Sequence, residues 1–96
     1  MTHLTCDEIR QTLQKGATLL DVRNVDEFSR GALPDATNIP LALLSVVAQQ
    51  QLDKNNPILV YCQAGGRAMM AEKILINMGF NDITNIGGIE HYPNCH

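Results

Sequence analysis

The chain has 96 residues, with 7 Lys and Arg against 10 Asp and Glu and a formal net charge of −3. This length predicts one domain spanning residues 1–96. The mild acidity argues against nucleic acid or an anionic membrane surface as the main partner, because both require basic patches. The longest apolar run, residues 58–62, is far shorter than the roughly 20 residues that cross a bilayer.

The cysteines are three in number, Cys6, Cys62 and Cys95, so they cannot all pair with one another. A small secreted scaffold usually carries an even and denser set of cysteines. The N-terminus has neither a basic stretch nor a long apolar stretch, and no secretory signal is predicted there. We therefore expect a cytoplasmic monomer in a reducing compartment, with at least one thiol free for chemistry.

The first elements are a helix and a strand. Residues 4–9 form a typical helix start, in which Thr5 is the N-cap and Glu8 completes a capping box. Gly16 is a plausible end for this helix. The apolar residues 17–22 then predict a buried strand.

In the middle of the chain, predicted helices and strands continue to alternate. Asn24 caps a predicted short helix that continues through Arg30, and residues 37–39 predict a short strand. Residues 41–52 have the spacing of a helix. Residues 58–61 are continuous, apolar and partly β-branched, as expected for a central parallel strand.

The last third predicts a helix over residues 67–78 and a strand over residues 82–86, followed by a poorly predicted tail. The expected buried stripe of this helix is Met70, Ala71, Ile74, Leu75 and Met78. Strands that alternate with helices predict an α/β fold with a parallel sheet covered on both faces. Ligands bind such sheets at the carboxyl ends of the strands, where Cys62 lies.

The segment after the strongest strand carries the most chemistry. It reads Cys62, Gln63, Ala64, Gly65, Gly66, Arg67 and Ala68. Two glycines let the backbone turn tightly, and a loop that closes onto a helix start directs several N–H groups inward. Such a concave set of amides binds an anion and favours a thiolate over a thiol. Arg67 adds a planar cation suited to oxyanions. The alternative is that Cys62 is an inert, buried small hydrophobic residue.

The chain resembles the single-domain rhodanese family of sulfurtransferases in four blocks. These are Asp21-Val22-Arg23 with Glu27-Phe28, the segment from Gly31 to Pro40, the loop from Cys62 to Arg67, and Gly87-Gly88. Two residues depart from the family pattern, since Ala32 stands where His is usual and Asp35 where Gly is usual. The loop interior is also uncharged, whereas many members that use thiosulfate carry a basic residue there.

The resemblance implies a three-layer α/β/α fold with a five-stranded parallel sheet, whose first strand lies near the N-terminus. It implies that Cys62 takes a sulfane sulfur from a donor such as thiosulfate and passes it to cyanide or a thiol. The amides of residues 63–68 would hold the persulfide, and Arg67 would bind the anionic donor. No cofactor or metal is expected, and a thioredoxin-like thiol protein is a possible partner.

Two other functions stay open. One is a sulfur-carrier module that holds a persulfide for a partner with little turnover of small molecules. The other is a phosphatase or arsenate reductase, but those enzymes place five residues between Cys and Arg. Only four lie between Cys62 and Arg67, and this tighter ring suits one sulfur atom better than a phosphate.

The remaining candidates have weaker signals. Asp21 and Arg23 either support the loop around Cys62 or form an ordinary ion pair. Cys95 is either a resolving thiol or an incidental cysteine in a frayed tail, and the second interpretation is favoured. Cys6 is expected to serve packing. A metal site combining Cys95 with His3, His91 and His96 fits no strong zinc spacing.

Overall fold

The computed structural model describes residues 3–93 and residue 95. In chain order its elements are α1 (Cys6–Gln14), β1 (Thr18–Asp21), α2 (Val25–Ser29), β2 (Thr37–Asn38), a 3-10 turn (Leu41–Leu43), α3 (Leu44–Gln51), β3 (Ile58–Cys62), α4 (Gly66–Asn77), β4 (Ile83–Gly88) and a second 3-10 turn (Ile89–His91). Each element that periodicity predicted is present, with ends shifted by one or two residues. The exception is the helix predicted from residue 41, whose first three residues form a 3-10 turn before α3 begins at Leu44. The tail predicted after residue 86 instead begins as the end of β4.

The sheet has four parallel strands in the order β2-β1-β3-β4 within the described part of the chain. The expectation of a fifth strand near the N-terminus is therefore wrong. The predicted capping box occupies this stretch: Thr5 Oγ1 accepts from the Glu8 amide at 3.1 Å, and Glu8 Oε1 accepts from the Thr5 amide at 2.9 Å. Helix α1 begins at the next residue, Cys6, so this segment is committed to a helix.

The alternation of side chains along β3 divides the core in two. Val60 and Cys62 point to the face covered by α3 and α4, where Leu44 and Leu75 are fully buried. Leu59 and Tyr61 point to the other face, where they pack with α1 and the C-terminal residues. Each face of the sheet is thus covered, which confirms the three-layer α/β/α arrangement.

The strand order places the functional candidates at one edge. The chain leaves β1 for β2 on one side and then crosses back to β3 on the other side of β1. Asp21, at the end of β1, lies beside Tyr61 in β3. Arg23 and the loop after Cys62 therefore leave the sheet at neighbouring points, where parallel sheets form their binding crevices.

Helix α4 buries the stripe that its sequence predicts except at Met70, with Ile74 and Met78 partly buried against the core. Ala68, Ala71 and Leu75 are completely buried, whereas Met70 is 52% exposed. The small Ala68 and Ala71 let α4 lie close to the sheet, so Met70 falls on the outer side. At 12 residues α4 is the longest helix in residues 3–93, and no helix there is long and apolar enough to cross a bilayer.

Asp35 adopts a left-handed backbone conformation with φ +66°. This is the position where the rhodanese pattern usually has glycine. Aspartate is one of the few other residues that tolerate this region, because its short side chain can bond locally. The departure from the pattern therefore keeps the same turn.

The end of β4 lies against the loop that follows β3. A Cβ atom built on Gly88 would lie 2.7 Å from Ala64 Cα and would also collide with the Gln63 carbonyl. Both obstacles are backbone, which cannot rotate away as a side chain can. Glycine at position 88 therefore permits the closest contact between the last strand and this loop.

We predict that Gly88→Ala lowers the free energy of unfolding by about 1–3 kcal/mol, since the added methyl group overpacks a backbone contact. Gly66→Ala is the matched control. A Cβ there meets no atom within 4 Å, so its change should stay within about 0.5 kcal/mol. Urea denaturation of both variants measures the difference. Equal losses of stability would contradict the close contact at Gly88.

Candidate active site

Cys62 ends β3 with its side chain directed into the face covered by α3 and α4. It is the free cysteine of the described residues, and it is 1% exposed. Its register partner in β4 is Gly88, so the site lies between the end of the sheet and the start of α4. Burial alone agrees with an inert cysteine, and the contacts of the sulfur decide between the two interpretations.

Two backbone amides point at the sulfur. The N–H groups of Gly65 and Ala68 donate to Cys62 Sγ, with nitrogen-to-sulfur distances of 3.0 Å and 3.3 Å. These are two of the six amides that the sequence placed around a persulfide. Gly65 adopts φ +114°, a conformation that side chains disfavour, and this turn brings the amides inward. The arrangement stabilises negative charge on sulfur.

The helix start adds to this effect. Gly65 is the N-cap of α4 and Gly66 its first residue, so the positive end of a 12-residue helix faces the sulfur. Amides of the first turn have no partner within the helix and are available to an anion. The predicted cradle around Cys62 is thus a turn closing onto a helix, as the sequence indicated.

Arg67 does not present an unpaired charge to the site. Its Nη1 and Nη2 atoms donate to the two carboxylate oxygens of Glu27 at 2.6 Å and 2.9 Å. This pairing raises the pKa of Arg67, and the hydrogen bonds from Arg67 and from the Asn24 amide lower the pKa of Glu27 to about 2. The expected cation is present beside the loop, but its charge is compensated.

The sequence identified Glu27 only within a block that resembles the rhodanese family, with no partner for its carboxylate. Its Oε1 atom accepts from the Asn24 amide at 3.1 Å, as a capping box requires. Its second partner, Arg67, is 40 residues away, and local spacing holds no signal for this pair. Glu27 therefore joins α2 to the start of α4, directly beside the cysteine loop.

Asp21 and Arg23 form a buried ion pair that also supports the loop. Arg23 Nη2 lies 2.8 Å from Asp21 Oδ2, and the side chains of Arg23 and Asp21 are 4% and 0% exposed. Arg23 Nη1 donates to Gln63 Oε1 at 3.3 Å, and Nη2 donates to the Gly31 carbonyl at 2.7 Å. The pair is structural, yet it reaches the residue next to Cys62.

The carboxylate of Asp21 compensates the charge of Arg23 in the same way. Burial tends to lower the pKa of Arg23, but the hydrogen bond and charge of Asp21 outweigh it and raise the pKa above its ordinary value. Burial has the opposite effect on Tyr61, whose pKa it raises. The Tyr61 ring lies 5.8 Å from the Arg23 guanidinium. Arg23 and Arg67 are thus each partnered by a carboxylate, and the amides of Gly65 and Ala68 are the positive groups that contact the sulfur.

A groove of about 550 Å³ lies beside the cysteine loop, although Cys62 itself does not line it. Gln63, which follows Cys62, forms part of its wall. The groove is lined by Arg23, Glu27, Arg30, Gly31, Gln63, Ile89, Glu90 and Pro93. One side is therefore built by residues after β4, which the sequence left without a role.

The other two cysteines contradict their expected roles. Cys6 and Cys95 form a disulfide with a Cα–Cα distance of 5.4 Å, so Cys6 is not a packing residue and Cys95 is neither a frayed residue nor a resolving thiol for Cys62. Cysteines 89 residues apart give no pairing signal in the sequence. Disulfides are typical of oxidising compartments, so the bond counts against the reducing compartment expected from the odd number of cysteines.

The weak metal-site hypothesis loses a ligand through the same bond. Cys95 is oxidised, while the rings of His3 and His91 lie 5.4 Å apart. His96 is outside the described residues. Within residues 3–93 and 95, no group of three or more His, Cys, Asp or Glu side chains is placed to hold a metal ion.

Comparison with known proteins matches residues 5–94 to the Rhodanese-like domain family. The protein named thiosulfate sulfurtransferase PspE from Escherichia coli K12 is 35% identical over 72 residues, which cover 74% of this chain and 69% of that protein. A protein named sulfurtransferase from Allochromatium vinosum is 29% identical over 70 residues, covering 73% of this chain. The match spans 64% of the Allochromatium protein, less than two thirds of its length.

Solved structures agree with the sequence match. A structure described as rhodanese with anions from E. coli superposes with a TM-score of 0.74 and 32% identity, covering 81% of this chain and 93% of that one. From its match over residues 5–94, this chain belongs to the rhodanese-like domain family.

Proposed function

We propose that this protein is a sulfurtransferase in which Cys62 carries a sulfane sulfur as a persulfide. The observation that carries the proposal is the pair of amides, from Gly65 and Ala68, that donate to Cys62 Sγ. In the thiolate the negative charge lies on Sγ, and in the persulfide it lies on the outer sulfur bonded to Sγ. Preorganised amides at this end of the loop stabilise such charge without rearranging during the reaction. Relatives named sulfurtransferases support the same chemistry.

The reaction has two balanced steps. The Cys62 thiolate attacks the outer sulfur of thiosulfate, a sulfur–sulfur bond forms on Cys62, and sulfite leaves with the electron pair of the broken bond. Cyanide or a thiolate then attacks the outer sulfur of the persulfide. Thiocyanate or a new persulfide leaves, and the Cys62 thiolate is restored.

The geometry restricts the identity of the sulfur donor less than it restricts the identity of the sulfur carrier. Arg67 and Arg23 are both paired with carboxylates, and the other charged residues of the groove are one base, Arg30, and one acid, Glu90. A dianion such as thiosulfate therefore relies on the loop amides and on partial release of Arg67 from Glu27. A donor of lower charge, including a protein persulfide, meets fewer obstacles.

A persulfide carrier with little turnover of small molecules is the second candidate. The observation that favours it is the 1% exposure of Cys62, since a small donor reaches the sulfur only if the residues that cover it move. A dedicated thiol protein, such as a thioredoxin-like partner, could supply that movement on docking. Phosphatase chemistry is less well supported, because Arg67 is directed to Glu27 and the loop is one residue shorter than the phosphatase loop.

We predict that wild-type protein treated with thiosulfate gains the mass of one sulfur atom, and that transfer to cyanide follows ping-pong kinetics. Cys62→Ser should lose both the added mass and the turnover, because the nucleophile is gone. Cys6→Ser/Cys95→Ser is the control: it leaves Cys62 as the remaining cysteine and should keep both the added mass and the turnover. Intact-mass spectrometry and thiocyanate detection measure these outcomes. Loading without turnover would select the carrier function, and loading that survives in Cys62→Ser would refute the assignment.

The Glu27–Arg67 pair gives a prediction for acid pH. The pKa of Glu27 is lowered to about 2 from an ordinary value of 4.5, so the pair stabilises the fold above pH 4.5. This contribution is lost as the pH falls through the folded-state pKa, where Glu27 takes up a proton. We expect about 0.5–1 kcal/mol, since both side chains are partly exposed.

The measurement is the difference in unfolding free energy between wild type and Glu27→Gln. It should be present at about pH 6 and should vanish near pH 2. Asp26→Asn is the matched control on the same helix: its Arg30 partner lies 3.6 Å away, and both side chains are highly exposed. Its effect should be smaller at every pH. A Glu27→Gln difference that does not change with pH would exclude the charged pair as its cause.

A further inference from the structure

The residues after β4 form one wall of the groove beside the cysteine loop. We call residues 89–93 and 95 the C-terminal segment. Its Ile89, Glu90 and Pro93 line the groove, and the Glu90 amide donates to the Gln63 carbonyl at 3.5 Å. Because Gln63 follows Cys62 directly, the segment lies against the loop that holds the reactive sulfur.

Two anchors hold this segment in place. The buried Tyr92 hydroxyl donates to the Ile86 carbonyl at 2.7 Å. Three residues later, the disulfide joins Cys95 to Cys6 at the start of α1. The first anchor depends on packing, but the second can be opened by chemistry.

The disulfide is accessible to such chemistry. Both cysteines are only partly buried. They line a cavity of about 310 Å³ together with apolar residues of α1 and β1, and with Pro34 and Asp35. A cavity of this size lies at the lower end of those that admit a small ligand. A thiol can therefore approach the bond without unfolding the domain.

We propose that the Cys6–Cys95 bond is a thiol–disulfide exchange site, opened by a dithiol reductant that enters this cavity, and that its opening loosens the wall of the groove beside the cysteine loop. A reductant thiolate attacks Cys95 Sγ, and Cys6 leaves as a thiolate at the N-terminal turn of α1. The second thiolate of the reductant attacks the mixed disulfide. Cys95 is released as a thiolate, both cysteines can take up protons from water, and the reductant becomes a cyclic disulfide.

The consequence for the site follows from its burial. Cys62 is 1% exposed, so reagents reach it only when the residues that cover it move. Opening the bond leaves the Tyr92 hydroxyl and the Glu90 amide as contacts of the segment. Pro93, which follows Tyr92, then loses the anchor on its C-terminal side and can move away from the groove. The rate at which a bulky reagent labels Cys62 should increase more than the rate for a small reagent, because the bulky reagent needs a wider opening.

The first experiment tests the exchange. Oxidised protein is titrated with dithiothreitol under native conditions, and the thiols of Cys6 and Cys95 are counted by peptide mass mapping while circular dichroism monitors the fold. We expect both thiols to appear while the fold remains intact. A bond that opens only when the protein unfolds would overturn the exchange site.

The second experiment tests the wall. Cys62 is labelled with a polyethylene-glycol maleimide and, separately, with iodoacetamide, and neither reaction requires sulfur transfer. In Cys6→Ser/Cys95→Ser we expect labelling by the maleimide to be about five- to tenfold faster than in oxidised wild type, with a much smaller change for iodoacetamide. Cys62→Ser confirms the labelled position. Equal rates in the double variant and oxidised wild type would overturn the proposed loosening.

A control separates local opening from a general loss of stability. Leu52→Ala keeps the disulfide but removes a buried side chain at the end of α3, outside the C-terminal segment and the groove. It should lower stability without the selective gain for the bulky reagent. If Leu52→Ala accelerates maleimide labelling as much as the double variant does, the effect is global and the proposed wall is wrong.

Discussion

The structure depends on two amides that point at one sulfur atom. Gly65 and Ala68 donate to Cys62 Sγ, and nearly every unusual feature nearby serves this contact. Gly65 takes a conformation that is largely restricted to glycine. Gly88 has no side chain, so β4 can lie directly against the backbone of the loop. Because backbone amides are held by the fold, their orientation needs no ordering at the moment when charge appears on sulfur.

Charge compensation around the loop gives the site its particular character. Both nearby arginines are engaged by carboxylates, Arg23 by Asp21 and Arg67 by Glu27. These pairs connect β1 and α2 to the cysteine loop and so hold it in shape. They also leave the loop amides as the positive groups that contact the sulfur. A site of this kind suits a single negatively charged sulfur better than a large polyanion, in agreement with the short loop.

The sequence predicted those helices, strands and turns that depend on residues close together in the chain. The capping boxes of α1 and α2, the continuous apolar run of β3 and the glycines before α4 act within a few residues of the chain. Their physical causes are local, because caps satisfy nearby amides and periodicity selects a face. The fifth strand was expected only by resemblance, and the α1 capping box shows why that segment forms a helix instead.

The sequence by itself determined that Cys62 follows a central strand, that its loop turns on glycines and that a helix starts behind it. Tertiary structure decided which partners those residues meet. Glu27 reaches Arg67, Cys6 bonds to Cys95, and the C-terminal segment closes one side of the groove. The reason is physical: hydrogen bonding within a turn acts over a few residues, whereas ion pairs, disulfides and groove walls form between segments that only the packed sheet brings together.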